Sequence, residues 1–419
     1  MNILFIHQNF PGQYKHLAPL LASKGHQCVS LTLRVKEPTT WKGVKVLPYA
    51  LPDRGVQNVH PWLLDLDSKV TRGQACFLAA RKLRDNGFVP DLILAHPGWG
   101  EAMFLHDVWP DARIGLYCEL YHRSGHPHLN FDPEFEQSDT ELQPLRIRMK
   151  NINNHLHFPT ATAGISPTSF QADTFPPEFR DKITVCHDGI DTKTASANPA
   201  VRLEIGDLDV TRDDEVITFV NRNLEPYRGY HVFMRALPRL LKERPNAKVL
   251  IVGGDEVSYG AQPPKGQTWK QIFIDEVRGR IPTKDWERVH FLGRIPYSKF
   301  VQLLQVSRVH VYLTYPFVLS WSLMEAMSCE AAIVASGTAP VREVIRDGET
   351  GRLVDFFDQE ALVDQVCELL DDEEQRRALG RAARRLMIDD YDLQKTCLPR
   401  QLSWVDSVMR SAPPGPPRD

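Results

Sequence analysis

Short runs rich in Val, Ile and Leu recur along the chain, with polar stretches between them. In the first half they are Asn2–Ile6, Cys28–Leu33, Val44–Leu47, Leu92–Ala95, Ile114–Tyr117 and Thr162–Ile165. In the second half they are Val216–Val220, Lys248–Val252, Val289–Leu292, Val309–Leu313, Ala331–Ala335 and Leu353–Phe356. Continuous apolar runs of this length predict strands buried on both faces. Helical patterns lie between many of them, as in His16–Ser23 and His231–Glu243, where Pro238 predicts a kink or an early break. Strand–helix alternation occurs twice over, so the predicted fold class is α/β, with two domains of mostly parallel sheet. The stretch Thr192–Asp214 is polar and places the boundary. We therefore expect a first domain over 1–195 and a second over 196–392. A last helix over about 393–409 returns to the first domain, and the Pro-rich tail 411–419 is expected to be disordered.

Composition narrows the function classes. A length of 419 residues allows two or three domains with ample cores. Fifty basic residues against 53 acidic ones give a net charge of −3 and no overall reason to expect a nucleic-acid partner. The seven cysteines are scattered without a C-x-x-C pair, which fits reduced thiols. The start, MNILFIHQNF, has no basic region before a long apolar core, so no signal peptide is expected. No apolar run approaches the ~20 residues that span a bilayer. These features predict a cytoplasmic protein. Arg146, Arg148 and Lys150 could touch anionic headgroups at the inner membrane face, but a solvated helix face is the expected reading, with weak or no membrane binding.

Candidate chemistry sits where strands end. Pro11 and Gly12 follow the first strand and open a helix; Gly12 either admits a phosphate to the backbone or serves the turn. In VNRNLEPYRGYHVF, Arg222 and Arg228 lie after the first strand of the second domain, where two guanidiniums could neutralise a diphosphate. Ser320, Trp321, Ser322 and Leu323 open a helix whose N-terminus could face phosphate, and Glu325 on that helix could accept hydrogen bonds from a ribose diol. Gly253, Gly254, Arg294 and Ile295 belong to turns after two further strands, so the set would line one crevice. His122, His126 and His128 in HRSGHPH lack a standard zinc spacing. Asp65/Asp67 and Asp207/Asp209 read as surface residues. No metal site is expected.

The order of these motifs resembles glycosyltransferase family 4, whose members have the two-domain GT-B fold. The resemblance runs from Met1 to about Leu398. FPGQ stands where that family has a glycine-rich turn, Arg222 and Arg228 stand for its Arg and Lys, and MEAMSCE supplies the second glutamate of E-x7-E as Glu325. VCHDGID and PVREVIRDGETGRLV are also similar. Two segments depart. The first glutamate of the signature falls on Phe317, with Val318, Leu319 and Ser320 in place of the glycine-rich GFG that follows it, and the catalytic-site histidine falls on Glu119. His96 and His122 are further candidates for that histidine's place.

The resemblance implies two Rossmann-like domains facing each other across a cleft. It implies retaining transfer of a sugar from a UDP- or GDP-sugar to a glycan, glycolipid or small-molecule hydroxyl, with no cofactor and no metal. Arg222, Arg228 and Glu119 would then be the catalytic residues. Gly12, Gly253, Gly254, Arg294, Ile295, Ser320, Trp321, Ser322, Leu323 and Glu325 would hold the donor. A non-catalytic nucleotide-sugar binder and a GT-B nucleotide-sugar epimerase stay open. A dinucleotide oxidoreductase is disfavoured, because no G-x-G-x-x-G follows a predicted strand.

Overall fold

The computed structural model describes residues 1–53, 58–135 and 141–413. It divides into two compact units. Unit 1 comprises Met1–Leu129, Gln137–Asp188 and Cys397–Asp419, and unit 2 comprises Asn130–Glu136 and Gly189–Thr396. Residues 414–419 of the expected disordered tail lie outside the described residues.

Unit 1 is built on an eight-stranded sheet. Its strands are β1 (Asn2–Ile6), β2 (Gln27–Thr32), β3 (Thr39–Trp41), β4 (Val44–Pro48), β5 (Leu92–Ala95), β6 (Arg113–Tyr117), β7 (Ala163–Ser166) and β8 (Ile183–Val185). Their order is β3-β4-β2-β1-β5-β6-β7-β8, parallel except for the β3–β4 pair. β1 is central, pairing with β2 on one side and β5 on the other. The sheet reverses its winding there, which is where open α/β sheets bind ligands. Helix Leu398–Arg410 belongs to this unit. Its Trp404 fills the space over Gly115 of β6, where a Cβ would come within 2.7 Å of the indole.

Unit 2 carries a small antiparallel pair, β9 (Arg202–Ile205) with β10 (Leu208–Thr211), inside the stretch expected to lack strands. The main sheet holds β11 (Val216–Asn223), β12 (Lys248–Gly254), β13 (Val289–Gly293), β14 (Val309–Tyr312), β15 (Ala332–Ser336) and β16 (Arg352–Val354). The order β13-β12-β11-β14-β15-β16 is wholly parallel, and its winding reverses between β11 and β14. Helix Tyr230–Glu243 runs through Pro238 without the early break that was one of the two expected outcomes. Its apolar side is buried through Phe233, Leu237, Leu240 and Leu241, and that burial outweighs the missing backbone donor.

Residues 130–135 group with unit 2 although the chain on either side of them belongs to unit 1. Phe131 packs on Tyr315, Phe356 and Phe357, and Phe135 on His231 and Trp269. Asp132 Oδ2 accepts a 2.8 Å hydrogen bond from the Tyr315 hydroxyl and lies 2.9 Å from His231 Nε2. Arg235 donates to both Glu134 oxygens, at 2.6 and 2.8 Å.

Candidate active site

In unit 2 the chain leaves β11 through Arg222, turns at Pro226–Arg228 and enters helix Tyr230–Glu243. Gly229 makes the turn possible. Its φ is +67°, and a Cβ would stand 2.3 Å from Leu313 Cβ. The turn brings Arg228 to the place where the sheet reverses. Arg228 is buried, and its Nη1 donates to Thr314 Oγ1 and Val318 O, both at 2.9 Å, and to Tyr312 Oη at 3.3 Å. All three acceptors lie on β14 or just beyond it. The guanidinium also rests over the rings of Tyr259 and Phe317. Among the described residues Nε and Nη2 have no hydrogen-bond partner, so one edge of the fork is anchored and the rest can meet an anion. Arg222 is exposed.

Glu225, between these arginines, carried no signal in the sequence beyond its place in the motif. It is fully buried. Its Oε2 accepts from the amides of Ser258 and Tyr259, at 3.0 and 2.9 Å, while Oε1 has no partner. Burial pushes the carboxyl up to about 7, against the opposing pull of the two amides, Arg228 and Arg222.

The remaining unit 2 candidates fall into two groups. Asn223 Oδ1 accepts from Arg294 at 3.1 Å, and its amide donates to Ser258 Oγ. A Cβ on Gly254 would strike Asn223 and the Arg294 guanidinium, and one on Gly253 would strike Leu224. Packing against Leu224 and the Asn221 carbonyl therefore already favours glycine at 253, whereas the exposed Arg294 could swing away from a side chain at 254. Glu325 Oε1 accepts a 2.6 Å bond from the Tyr297 hydroxyl. Ser320 caps helix Trp321–Ser328 by accepting from Ser322 N, and its own amide donates to Tyr312 Oη, next to Arg228. Trp321 is exposed, Ile295 half-buried and Leu323 part of the core, so Leu323 can offer only backbone.

In unit 1 the reversal point gathers a different set. His7 follows β1 and His96 follows β5, with ring centroids 5.5 Å apart. His7 was not foreseen. Its imidazole occupies the space beside Gly12, where a Cβ would lie 2.2 Å from Nε2. A packed histidine explains that glycine, whose φ is +46°, without a phosphate. His7 Nε2 lies 2.6 Å from Gln13 Oε1, and burial followed by the nearby His96 pulls its pKa down to about 4. His96 is stacked between Trp99 and Tyr117. Its Nδ1 accepts from Gly98 N, so in the neutral ring Nε2 carries the proton. That Nε2 stands 3.4 Å from Glu119 Oε2.

His126 and His128 approach each other through their Nδ1 atoms. The three potential ligands that come together among the described residues are instead Asp132, Glu134 and His231. Tyr315, His231 and Arg235 already engage their carboxylates, which makes the group an ion-pair network.

Residues 24–195 match the pattern described as "Glycosyl transferase family 4 group", and residues 204–386 match "Glycosyl transferases group 1". The chain belongs to the family 4 glycosyltransferases. A curated relative, D-inositol 3-phosphate glycosyltransferase of Corynebacterium efficiens, is 28% identical over 207 residues, 48% of this chain and 46% of that protein. The chain spans about half the length of the curated relatives it matches. Among solved structures, sucrose-phosphate synthase from Thermosynechococcus elongatus superposes with a TM-score of 0.72 at 15% identity. That match covers 97% of this chain and 99% of the other. The Anabaena protein HepE, solved with UDP-glucose, gives 0.66 at 15% identity, with 97% and 99% coverage. These likenesses establish the GT-B fold. Against this family background Phe317 is a ring packed edge-on to Tyr227 and Tyr259 rather than a carboxylate.

Proposed function

We propose that the protein transfers a sugar, with retention of anomeric configuration, from a nucleotide-sugar to an acceptor hydroxyl, and that it does so without a metal. The observation that carries this reading is Arg228, pinned by Tyr312, Thr314 and Val318 at the sheet reversal, with Arg222 near the end of β11 just before the same turn. When the anomeric C–O bond breaks, the electron pair goes to the leaving diphosphate. Preorganised guanidiniums aimed at that charge lower the barrier, in the role a divalent cation would otherwise fill. Glu325, oriented by Tyr297, suits a ribose diol, and the first turn of helix Trp321–Ser328 suits phosphate. In unit 1 Glu119 beside His96 is the group to accept a proton from, or polarise, the acceptor hydroxyl.

The UDP-glucose held by HepE supports a uridine donor, and the name of the Corynebacterium relative supports a glycan- or polyol-type acceptor. The exposed Arg146, Arg148 and Lys150 of helix Gln143–Lys150 are too few for stable anchoring, which fits a cytoplasmic protein with weak membrane contact. Phe317 favours a second reading, binding of the nucleotide-sugar without turnover, because it removes a carboxylate from the donor loop. The test is incubation with uridine and guanosine diphosphate sugars in EDTA, measuring nucleoside diphosphate release and product anomer. Release that Arg222→Ala abolishes supports transfer. Saturable binding with no release under any acceptor supports the second reading.

A further inference from the structure

The strands of unit 2 begin at the end of the sheet opposite Arg228, and there a cavity of about 450 Å³ opens. Five arginines line it: Arg212, Arg308, Arg376, Arg377 and Arg381. Its volume falls within the usual range of small-molecule sites. Three of the five are fixed by backbone carbonyls alone. Arg212 donates to Gln305 O and Glu330 O, Arg308 to Arg212 O and Asp213 O, and the buried Arg376 to Leu369 O and Leu370 O. Carbonyls aim a guanidinium but do not cancel its charge.

The lining holds three carboxylates. Glu373 pairs with Arg377 at 2.5 Å, Glu330 is 3.8 Å from Arg384, and Asp213 is exposed. Among the described residues, no carboxylate comes within 4.0 Å of Arg212, Arg308, Arg376 or Arg381. The cavity therefore has an uncompensated positive excess. Burial, and then Arg308, Arg377 and Arg212 working against Glu373, hold Arg376 below its ordinary pKa. Partly buried, unpaired like charges are costly, and a multiply charged anion relieves them.

We propose that this cavity is a binding site for a phosphate-bearing ligand, separate from the donor crevice. The recognising chemistry is a phosphate monoester or diphosphate, either on a soluble metabolite or on a lipid headgroup. The full chain is titrated calorimetrically with inorganic phosphate, alongside Arg222→Ala and the double variant Arg377→Gln/Arg381→Gln. Those last two side chains are exposed, so their loss spares the fold. Wild type and Arg222→Ala should bind phosphate alike, and the double variant should bind about tenfold more weakly or worse. Arg376→Lys, which keeps the charge but loses the planar fork, should also weaken it. Co-sedimentation with phosphatidylcholine vesicles containing phosphatidic acid identifies the lipid source when the double variant loses it. Phosphate binding lost in Arg222→Ala but intact in the double variant overturns the proposal, as does the absence of saturable binding in both arms. Neither result bears on donor turnover, which is read separately.

Discussion

Glu225 and Arg228 sit three residues apart and constrain each other. The folded Glu225 carboxyl keeps its proton to about pH 7, against an ordinary 4.5. Between those values the folded state binds more protons than the unfolded one, so stability falls as pH rises through that window. Glu225→Gln keeps an acceptor for the Ser258 and Tyr259 amides and places an uncharged group where Oε1 has no partner. Relative to the wild type, its melting temperature should rise from pH 4.5 to 7, because buried histidines of lowered pKa such as His7 act on both proteins alike; parallel curves would refute the assignment. A diphosphate bound at Arg222 and Arg228 would cancel charges that now favour ionised Glu225. Nucleotide binding near pH 7 should therefore take up protons, seen as a calorimetric enthalpy that depends on buffer ionisation. Arg228→Lys keeps a charge but cannot span Tyr312, Thr314 and Val318 as the fork does. Turnover should drop about a hundredfold or more, chiefly in kcat.

The segment around Asp132 acts at the scale of elements, tying a stretch of loop to the strand ends of unit 2. Burial opposes ionisation of Asp132, yet hydrogen bonds from His231 and Tyr315 overcome it and hold the carboxyl below its usual range. Its contribution is present above the ordinary carboxylate pKa and is lost as pH falls through the folded value. The Tyr315 ring packs at a tilt against Tyr227, the neighbour of Arg228, so the segment also braces the arginine turn. Asp132→Ala strands the Tyr315 hydroxyl and the buried His231 and should cost about 3 kcal/mol. Urea unfolding measures this, and an unchanged midpoint would show the contact to be idle. This tie was illegible in the sequence because it joins positions about 100 and 183 residues apart. Twelve of the sixteen strands among the described residues were legible, because each carries a short apolar run. β9 and β10 were missed because each is half-exposed, so Leu203, Leu208 and Val210 alternate with charge inside a polar stretch. β3 and β8 were missed because each has only three residues, most of them at least partly exposed. His7 and Glu225 were missed for another reason. A single polar residue at a strand end looks the same whether it packs, titrates or faces solvent.

At the scale of the whole molecule, the chain order and the units do not coincide. Cys397–Asp419 returns to unit 1 after all of unit 2 has been made. The return has a physical anchor. Leu398, Trp404, Val405 and Val408 are buried, and β6 has glycine at the one position where a side chain would collide with the indole. Trp404, which follows unit 2 in the chain, thus completes a core whose strands precede unit 2. Trp404→Ala should open a cavity that Gly115 cannot fill, costing about 3–5 kcal/mol. With separate cores, the loss should fall on unit 1 alone. Thermal unfolding of Trp404→Ala with a nucleoside diphosphate present distinguishes the two units. The ligand should raise the unit 2 transition by the same amount in variant and wild type, while the other transition moves down. If one transition carries both shifts, the two cores unfold as a single cooperative body and Trp404 stabilises the whole chain.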